Sequence, residues 1–131
     1  MGSKKKGTRA ERELIHLFFN TNTWIAIRVA GSGSMPIPCP DIVVGNGKRV
    51  LAIECKSLAD NIKYFKEQEL ADLIEFSRRF GAEAWLGVRF DHVGWFFIQP
   101  NNLILSKKGT PSISLNEAKE IGLKFEQLTN M

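Results

Sequence analysis

The sequence lacks any long apolar run, because no stretch approaches the roughly 18 residues that a membrane-spanning helix requires. No apolar signal core follows the basic residues 4–6, since charges soon recur at Arg9 and Glu11. Cysteine is scarce, and Cys39 and Cys55 have neither the paired spacing of a zinc site nor that of a disulfide scaffold. These absences argue against membrane, secreted and zinc-binding classes. We therefore expect a cytoplasmic protein with reduced thiols and no membrane partner.

The length and charge of the chain indicate one globular domain with a basic surface. The 131 residues include 18 Lys and Arg against 14 Asp and Glu, which gives a net charge of +4. This excess favours a polyanionic partner, although it is common in proteins that bind no nucleic acid. The Gly-, Ser- and Lys-rich residues 1–7 predict a flexible basic arm, and residues 8–131 predict one folded domain.

The predicted order of elements is helix, strand, hairpin, helix, two strands and helix, which favours an α/β or α+β fold with a mixed sheet and flanking helices. The first helix is predicted to begin at Thr8, where Thr8 and Glu11 have the spacing of a capping box. Further elements are predicted as strands at 24–29, 42–44 and 50–56, a helix from 64 or 66 to 80, strands at 84–90 and 95–99, and a last helix at 114–127.

The most informative stretch is a predicted hairpin with polar residues at one end. Asp41 precedes its first strand, and Glu54 and Lys56 end its second, otherwise apolar strand. Between the strands, Asn46-Gly47 is a strong signal for a two-residue turn. The alternative interpretation is a surface hairpin that carries these three residues by chance.

The two-residue turn fixes which side chains share a face. It places Asp41 opposite Ala52, with Glu54 as its diagonal neighbour. Because side chains alternate along a strand, Asp41, Glu54 and Lys56 project from one face and Cys55 from the other. Diagonal neighbours are about 7 to 8 Å apart, close enough for two carboxylates to share a metal ion.

These residue types suit the hydrolysis of a phosphodiester. Mg²⁺ prefers carboxylate oxygens, makes a water molecule more acidic and offsets charge on the phosphate. Lys56 would position the water or stabilise the charge of the transition state. The pattern therefore predicts a Mg²⁺-dependent nuclease of the PD-(D/E)xK type with no organic cofactor.

Two further residues have competing interpretations. Glu11 lies on the apolar stripe of the first helix, so it is either a third metal ligand or the capping partner of Thr8. Arg28 precedes a glycine- and serine-rich segment at 30–34, which is either a phosphate-binding loop or a plain connection.

The motifs together resemble those of the archaeal Holliday junction resolvases, a family of the PD-(D/E)xK nuclease superfamily. The resemblance lies in the segments KGTRAERE (6–13), RVAGS (28–32), PDIV through IECK (40–56), LIEFSRRFG (73–81) and VGWFFI (93–98). It covers roughly residues 6 to 100, and the residues after Asn101 are not diagnostic.

The resemblance implies a restriction-endonuclease-like α/β domain with a mixed central sheet flanked by helices. It implies a homodimer that makes paired symmetric nicks in four-way junction DNA during recombination and repair, and hence a nucleoid-associated protein. The implied site residues are Glu11, Asp41 and Glu54 for Mg²⁺; Asp41, Glu54, Lys56 and Ser32 for catalysis; and Arg9, Arg12, Arg28, Lys63 and Lys66 for DNA. A proline-rich insertion at 35–39 leaves open whether Ser32 or Ser34 is the serine of the catalytic loop.

Three alternatives stay open at the level of sequence. The same nuclease chemistry would serve another branched or damaged DNA, because the dimer surface rather than the acidic cluster reads substrate shape. A DNA-binding module could instead keep the nuclease fold without the activity. The aromatic residues Phe76 and Phe80, with Leu73, belong either to the core or to a stripe that a second subunit covers.

Overall fold

The fold is built on a mixed five-stranded sheet. The computed structural model describes residues 2–29 and 36–131, with side chains from residue 7 onward. The elements are α1 (Gly2–Phe19), β1 (Ile25–Arg28), β2 (Ile42–Gly45), β3 (Val50–Leu58), β4 (Ile62–Tyr64), α2 (Glu67–Phe80), β5 (Glu83–Phe90), β6 (Gly94–Ile98), β7 (Ile104–Leu105), β8 (Pro111–Ser114), α3 (Leu115–Ile121) and α4 (Phe125–Thr129). The strands of the main sheet lie in the order β1-β2-β3-β5-β6, where β3 and β5 are parallel and the other neighbours antiparallel.

Helices cover both faces of this sheet and divide the core into two clusters. On one face, Leu14 and Phe18 of α1 pack with Ile53 of β3. On the other face, Leu73 of α2 and Ala118 of α3 belong to a second cluster. The central strands are buried on both faces, which anchors any site built at their ends. No helix in the described ranges is long and apolar enough to cross a membrane.

Helix α1 begins earlier than the sequence predicted. It starts at Gly2, so Thr8 lies inside the helix and the predicted start at Thr8 was wrong. The capping box of Thr8 with Glu11 was wrong as well, because a cap requires Thr8 to precede the first helical turn. Glu11 is therefore not a capping partner. The division into a flexible arm of residues 1–7 and a domain of residues 8–131 stays a prediction.

The hairpin of β2 and β3 turns one residue later than predicted. Ile42 lies opposite Ile53 and Gly45 opposite Val50, and the amide of Asn46 donates to the carbonyl of Arg49. The tip is therefore Gly47 and Lys48, and Gly47 takes the left-handed φ of +92° that glycine tolerates best. This correction shifts the register by two residues, so the side chains of the paired residues keep the faces predicted for them.

The region after Asn101 contains structure that the sequence did not reveal. Strands β4, β8 and β7 form a small separate sheet, in that order. The predicted last helix is two short helices, α3 and α4, and Ser114 caps α3 through the expected capping box with Glu117. The chain leaves the helix at Gly122 so that Leu123 pairs with Phe97 at the edge of β6. This bridge covers one edge of the main sheet.

We predict that Gly87→Ala destabilises the fold by about 1 to 3 kcal/mol, because the core there is already full. A methyl group at Gly87 would lie 3.1 Å from Ile53, 3.2 Å from Phe97 and 3.3 Å from Trp95. Urea unfolding monitored by tryptophan fluorescence measures the effect. Gly45→Ala is the control, since its added methyl group meets only the carbonyl of Arg49 at 3.6 Å. Equal stabilities of the two variants would contradict the prediction.

Candidate active site

The site centres on two carboxylates at the end of the paired segment of β2 and β3, Asp41 and Glu54. The amide of Asp41 donates to the carbonyl of Ile53, the residue that also pairs with Ile42, so Asp41 is tied to β3 just before Glu54. The two carboxylates are close enough for the charge of Asp41 to act directly on Glu54. An oxygen of the Asp41 side chain also accepts a hydrogen bond of 2.8 Å from the amide of Cys55.

The alternation along β3 determines which residues join this pair. Ile53 and Cys55 pack against the core cluster on the α1 side of the sheet. Glu54 and Lys56 therefore project to the other side, where α2 lies. The predicted common face of Glu54 and Lys56 and the inward direction of Cys55 are confirmed by this geometry, and the charge of Asp41 acts directly on Glu54.

Burial makes this pair of carboxylates electrostatically costly. Burial raises the pKa of Glu54 to about 8, and the adjacent Asp41 contributes in the same direction. Burial also raises the pKa of Asp41, although the Cys55 amide partly opposes it by donating a hydrogen bond. Burial and the charge of Asp41 thus disfavour the ionisation of Glu54, a condition that a bound divalent cation would relieve.

Glu11 of α1 interacts electrostatically with the same pair of carboxylates. Its carboxylate contributes to the raised pKa of both Asp41 and Glu54. Arg28 of β1 donates from Nε to Glu11 Oε1 at 2.9 Å, and the Glu11 side chain is only 15% exposed. Glu11 therefore lies within electrostatic range of Asp41 and Glu54, and Arg28 forms an ion pair with Glu11.

Lys56 is held by a residue that the sequence did not single out. Its ammonium lies 2.9 Å from Glu69 Oε2 and 3.8 Å from Glu54 Oε2. Burial alone would lower the pKa of Lys56, but the hydrogen bond and charge of Glu69 outweigh it and raise that pKa. Lys56 is therefore an ammonium group at neutral pH. No spacing rule connects Glu69, in the first turn of α2, with a strand residue beyond an intervening loop.

The donor atoms suit a hard cation, but they are not arranged as a finished metal site. Carboxylate oxygens are the ligands that Mg²⁺ prefers. Within residues 2–29 and 36–131, no group of three acidic, histidine or cysteine side chains is already placed to hold a metal ion. Binding would therefore require the side chains to adjust, since one Asp41 oxygen bonds the Cys55 amide and Glu11 bonds Arg28.

The other predicted site residues occupy varied positions. Arg9 and Arg12 are exposed on α1, Lys63 is half-buried in β4, and Lys66 is exposed as the N-cap of α2. Ser32 and Ser34 lie outside the described residues, so the choice between them stays a prediction. Their roles in DNA binding and catalysis stay predictions.

Comparison with known proteins decides the family. The family model described as archaeal Holliday junction resolvase matches residues 2–131, nearly the whole chain. The chain belongs to the archaeal Holliday junction resolvase family.

Individual relatives agree with this assignment. The chain is 43% identical over 105 residues to the crossover junction endodeoxyribonuclease Hjc of Archaeoglobus fulgidus, covering 80% of this chain and 76% of that one. It is 30% identical over 124 residues to the Methanocaldococcus jannaschii Hjc, covering 95% and 86% of the two chains. The solved structure of the A. fulgidus Hjc, titled a Holliday junction resolvase, superposes with a TM-score of 0.86 at 35% identity, over 95% of this chain and 100% of that one. The predicted family, the restriction-endonuclease-like fold and the nuclease activity are confirmed.

The burial of Glu54 predicts an unusual dependence of stability on pH in the metal-free protein. Below pH 4.5, its ordinary pKa, Glu54 is protonated in both the folded and the unfolded state. As the pH rises to about 8, the unfolded chain releases this proton while the folded chain retains it, so stability falls. Glu54→Gln should therefore be more stable than the wild type at about pH 9, by roughly 2 kcal/mol, and nearly equal at about pH 5.

Denaturant unfolding at several pH values, with a chelator present, measures this difference. The exposed Glu120→Gln serves as the control and should follow the wild type throughout. A Glu54→Gln variant whose stability parallels the wild type at every pH would show that burial does not disfavour the Glu54 charge.

Proposed function

We propose that the protein is a Mg²⁺-dependent endonuclease that resolves four-way DNA junctions by paired symmetric nicks. The observation that supports this most strongly is the part-buried pair of Asp41 and Glu54 with the Lys56 ammonium beside it. Family membership supports the choice of junction DNA as substrate. A DNA-acting enzyme of this kind would work in the cytoplasm at the nucleoid and would require no organic cofactor.

Each site residue has a role that follows from its chemistry. Asp41 and Glu54 would hold the Mg²⁺, with Glu11 as a third ligand. Bound Mg²⁺ supplies positive charge at the phosphate and makes a water molecule more acidic. Lys56 would donate hydrogen bonds to the phosphate oxygens as negative charge develops on them. We assign Ser32, outside the described residues, to the catalytic loop.

DNA contacts away from the reacting phosphate would come from basic side chains. Arg28 is 56% exposed even while it pairs with Glu11, so its guanidinium remains accessible to a phosphate. The full proposed set comprises Arg9, Arg12, Arg28, Lys63 and Lys66. Contacts of this kind fix the orientation of the duplex without reading its sequence.

The decisive experiment is cleavage of a four-way junction with mapped strands, with and without Mg²⁺. We predict symmetric paired nicks only when Mg²⁺ is present. Asp41→Ala and Glu54→Ala should each lower the cleavage rate at least about 100-fold, because each removes a ligand of the metal. Junction binding, measured by fluorescence anisotropy, should stay within about threefold of the wild type, since basic residues carry it.

The controls separate substrate choice from chemistry. Three-way, flap and linear duplex DNA are compared at equal concentration, and Glu120→Gln serves as a surface variant. Faster cleavage of another branched DNA would identify a different substrate for the same site. Full activity of Asp41→Ala or Glu54→Ala would refute the metal assignment, and a wild type without nicking would indicate a binding module.

A homodimer would supply the two active sites that paired nicks require. Described residues of α2 and of the segment before β2 line an apolar groove: Ile37, Pro38, Phe76 and Phe80, flanked by the ion-paired Glu75 and Arg79. Ile37 and Phe80 are 59% and 57% exposed, and the rings of Phe76 and Phe80 stack at 4.9 Å. Leu73 is buried, so it belongs to the core rather than to this stripe. A second copy covering this groove would remove its apolar surface from water.

We predict that Phe80→Glu converts the dimer to a monomer, because it would place a charge in the apolar contact. Sedimentation equilibrium measures the mass, and junction cleavage should lose its pairing of nicks. The matched control is Leu105→Glu, which alters a side chain that is 64% exposed on the small sheet. A wild type that is monomeric at all accessible concentrations would reject the dimer proposal.

A further inference from the structure

Glu69 is a fourth carboxylate at the site, and it differs from the other three in its contacts. One oxygen, Oε2, pairs with the Lys56 ammonium at 2.9 Å. The other, Oε1, accepts a hydrogen bond of 3.1 Å from the amide of Lys66. Both oxygens of Glu69 are thus engaged by cationic or N–H donors, whereas Asp41 accepts from the Cys55 amide through one oxygen and Glu54 lies 3.8 Å from the Lys56 ammonium.

The place of Glu69 on α2 gives it a fixed position. It is the third helical residue, and its bond to the amide of Lys66 forms part of a capping box. Helix α2 is itself anchored, since Leu70 and Leu73 are buried against the sheet. Glu69 is therefore a carboxylate on a rigid support, pointing at a lysine on the neighbouring strand.

Lys56 needs such a support because its side chain is long and has many rotamers. Glu54 alone is a poor anchor, being 3.8 Å from the ammonium. Glu69 is not one of the proposed metal ligands. Its ion pair with Lys56 therefore leaves Asp41 and Glu54 available to a cation. Holding a catalytic group in place lowers the entropic part of the barrier to reaction.

We propose that Glu69 is a positioning residue, which holds the Lys56 ammonium beside the scissile phosphate and does not itself bind the metal. This inference rests on the proposed function of Lys56. It adds to that function a residue of α2 that couples the start of the helix to the chemistry at the end of β3.

Glu69→Gln tests the proposal with little risk to folding. Glutamine keeps an oxygen for the Lys66 amide, so the capping box survives, but it no longer offers the ammonium a carboxylate. Glu117→Gln is the matched control. Glu117 is the third residue of α3, and it accepts a hydrogen bond from the amide of the N-cap residue Ser114, as Glu69 does from Lys66. No lysine or arginine forms an ion pair with Glu117 among the described residues.

The measurement is the single-turnover rate of junction cleavage at saturating enzyme, together with junction affinity, melting temperature and a Mg²⁺ titration. We expect Glu69→Gln to cleave about 10- to 100-fold more slowly than the wild type. Its junction affinity should stay within about twofold, and its melting temperature should match that of Glu117→Gln, which cleaves at the wild-type rate.

Three results would overturn the proposal. The first is a Glu69→Gln variant that cleaves as fast as Glu117→Gln. The second is a slow rate that excess Mg²⁺ restores, which would make Glu69 a metal ligand. The third is a loss of rate matched by an equal loss of affinity or stability. A wild type that does not cleave junctions would instead remove the proposed function itself, so the two failures are distinguishable.

Discussion

The site depends on one unfavourable interaction, the burial of two neighbouring carboxylates at the end of adjacent strands. Asp41 and Glu54 lie at the end of the ladder of β2 and β3, whose fully buried apolar side chains include Ile42 and Ile53. Hydrophobic burial along the hairpin stabilises the strands well enough to tolerate the repulsion at their end. The packing of the core thus keeps the two acidic side chains in place despite their repulsion.

The neighbouring positive groups reduce this repulsion without removing it. The Cys55 amide donates to Asp41, and Lys56 lies between Glu54 and Glu69. Glu11 adds negative charge nearby but is neutralised by Arg28. The result is an excess of carboxylates over cations, in surroundings where each unpaired charge is costly. Such a site lowers the stability of the protein alone and is suited to a cation from solution.

The face shared by Glu54 and Lys56 could be predicted because strand alternation has a period of two. The predicted turn was one residue early, yet the resulting shift in register was even and left the faces unchanged. The end of α2 was equally accessible to prediction, since Gly81 takes the left-handed conformation expected of a helix stop. Local sequence rules were sufficient for prediction where one backbone feature, such as strand alternation or a left-handed glycine, determined the structure.

Other parts of the structure depend on contacts distant in sequence. The strands of the small sheet are only two to four residues long, and β4 pairs with β8 across some fifty residues. The break between α3 and α4 follows from the pairing of Leu123 with Phe97, and a Cβ at Gly122 would lie 2.6 Å from the Ala118 carbonyl oxygen. Local propensity does not encode these pairings, so the sequence favoured one helix instead.

Glu69 depends both on a local sequence rule and on a contact distant in sequence. It therefore shows why the site was only partly predictable. Its position in the first turn of α2 follows local capping rules, and a carboxylate there is favoured by the helix dipole. Its bond to Lys56, however, exists only because β3 and α2 pack together on one face of the sheet. The charged residues that would act on the phosphate could be predicted from a sequence motif on two strands. Residues that hold them in place come from whichever element the fold packs alongside, and identifying them requires the tertiary structure.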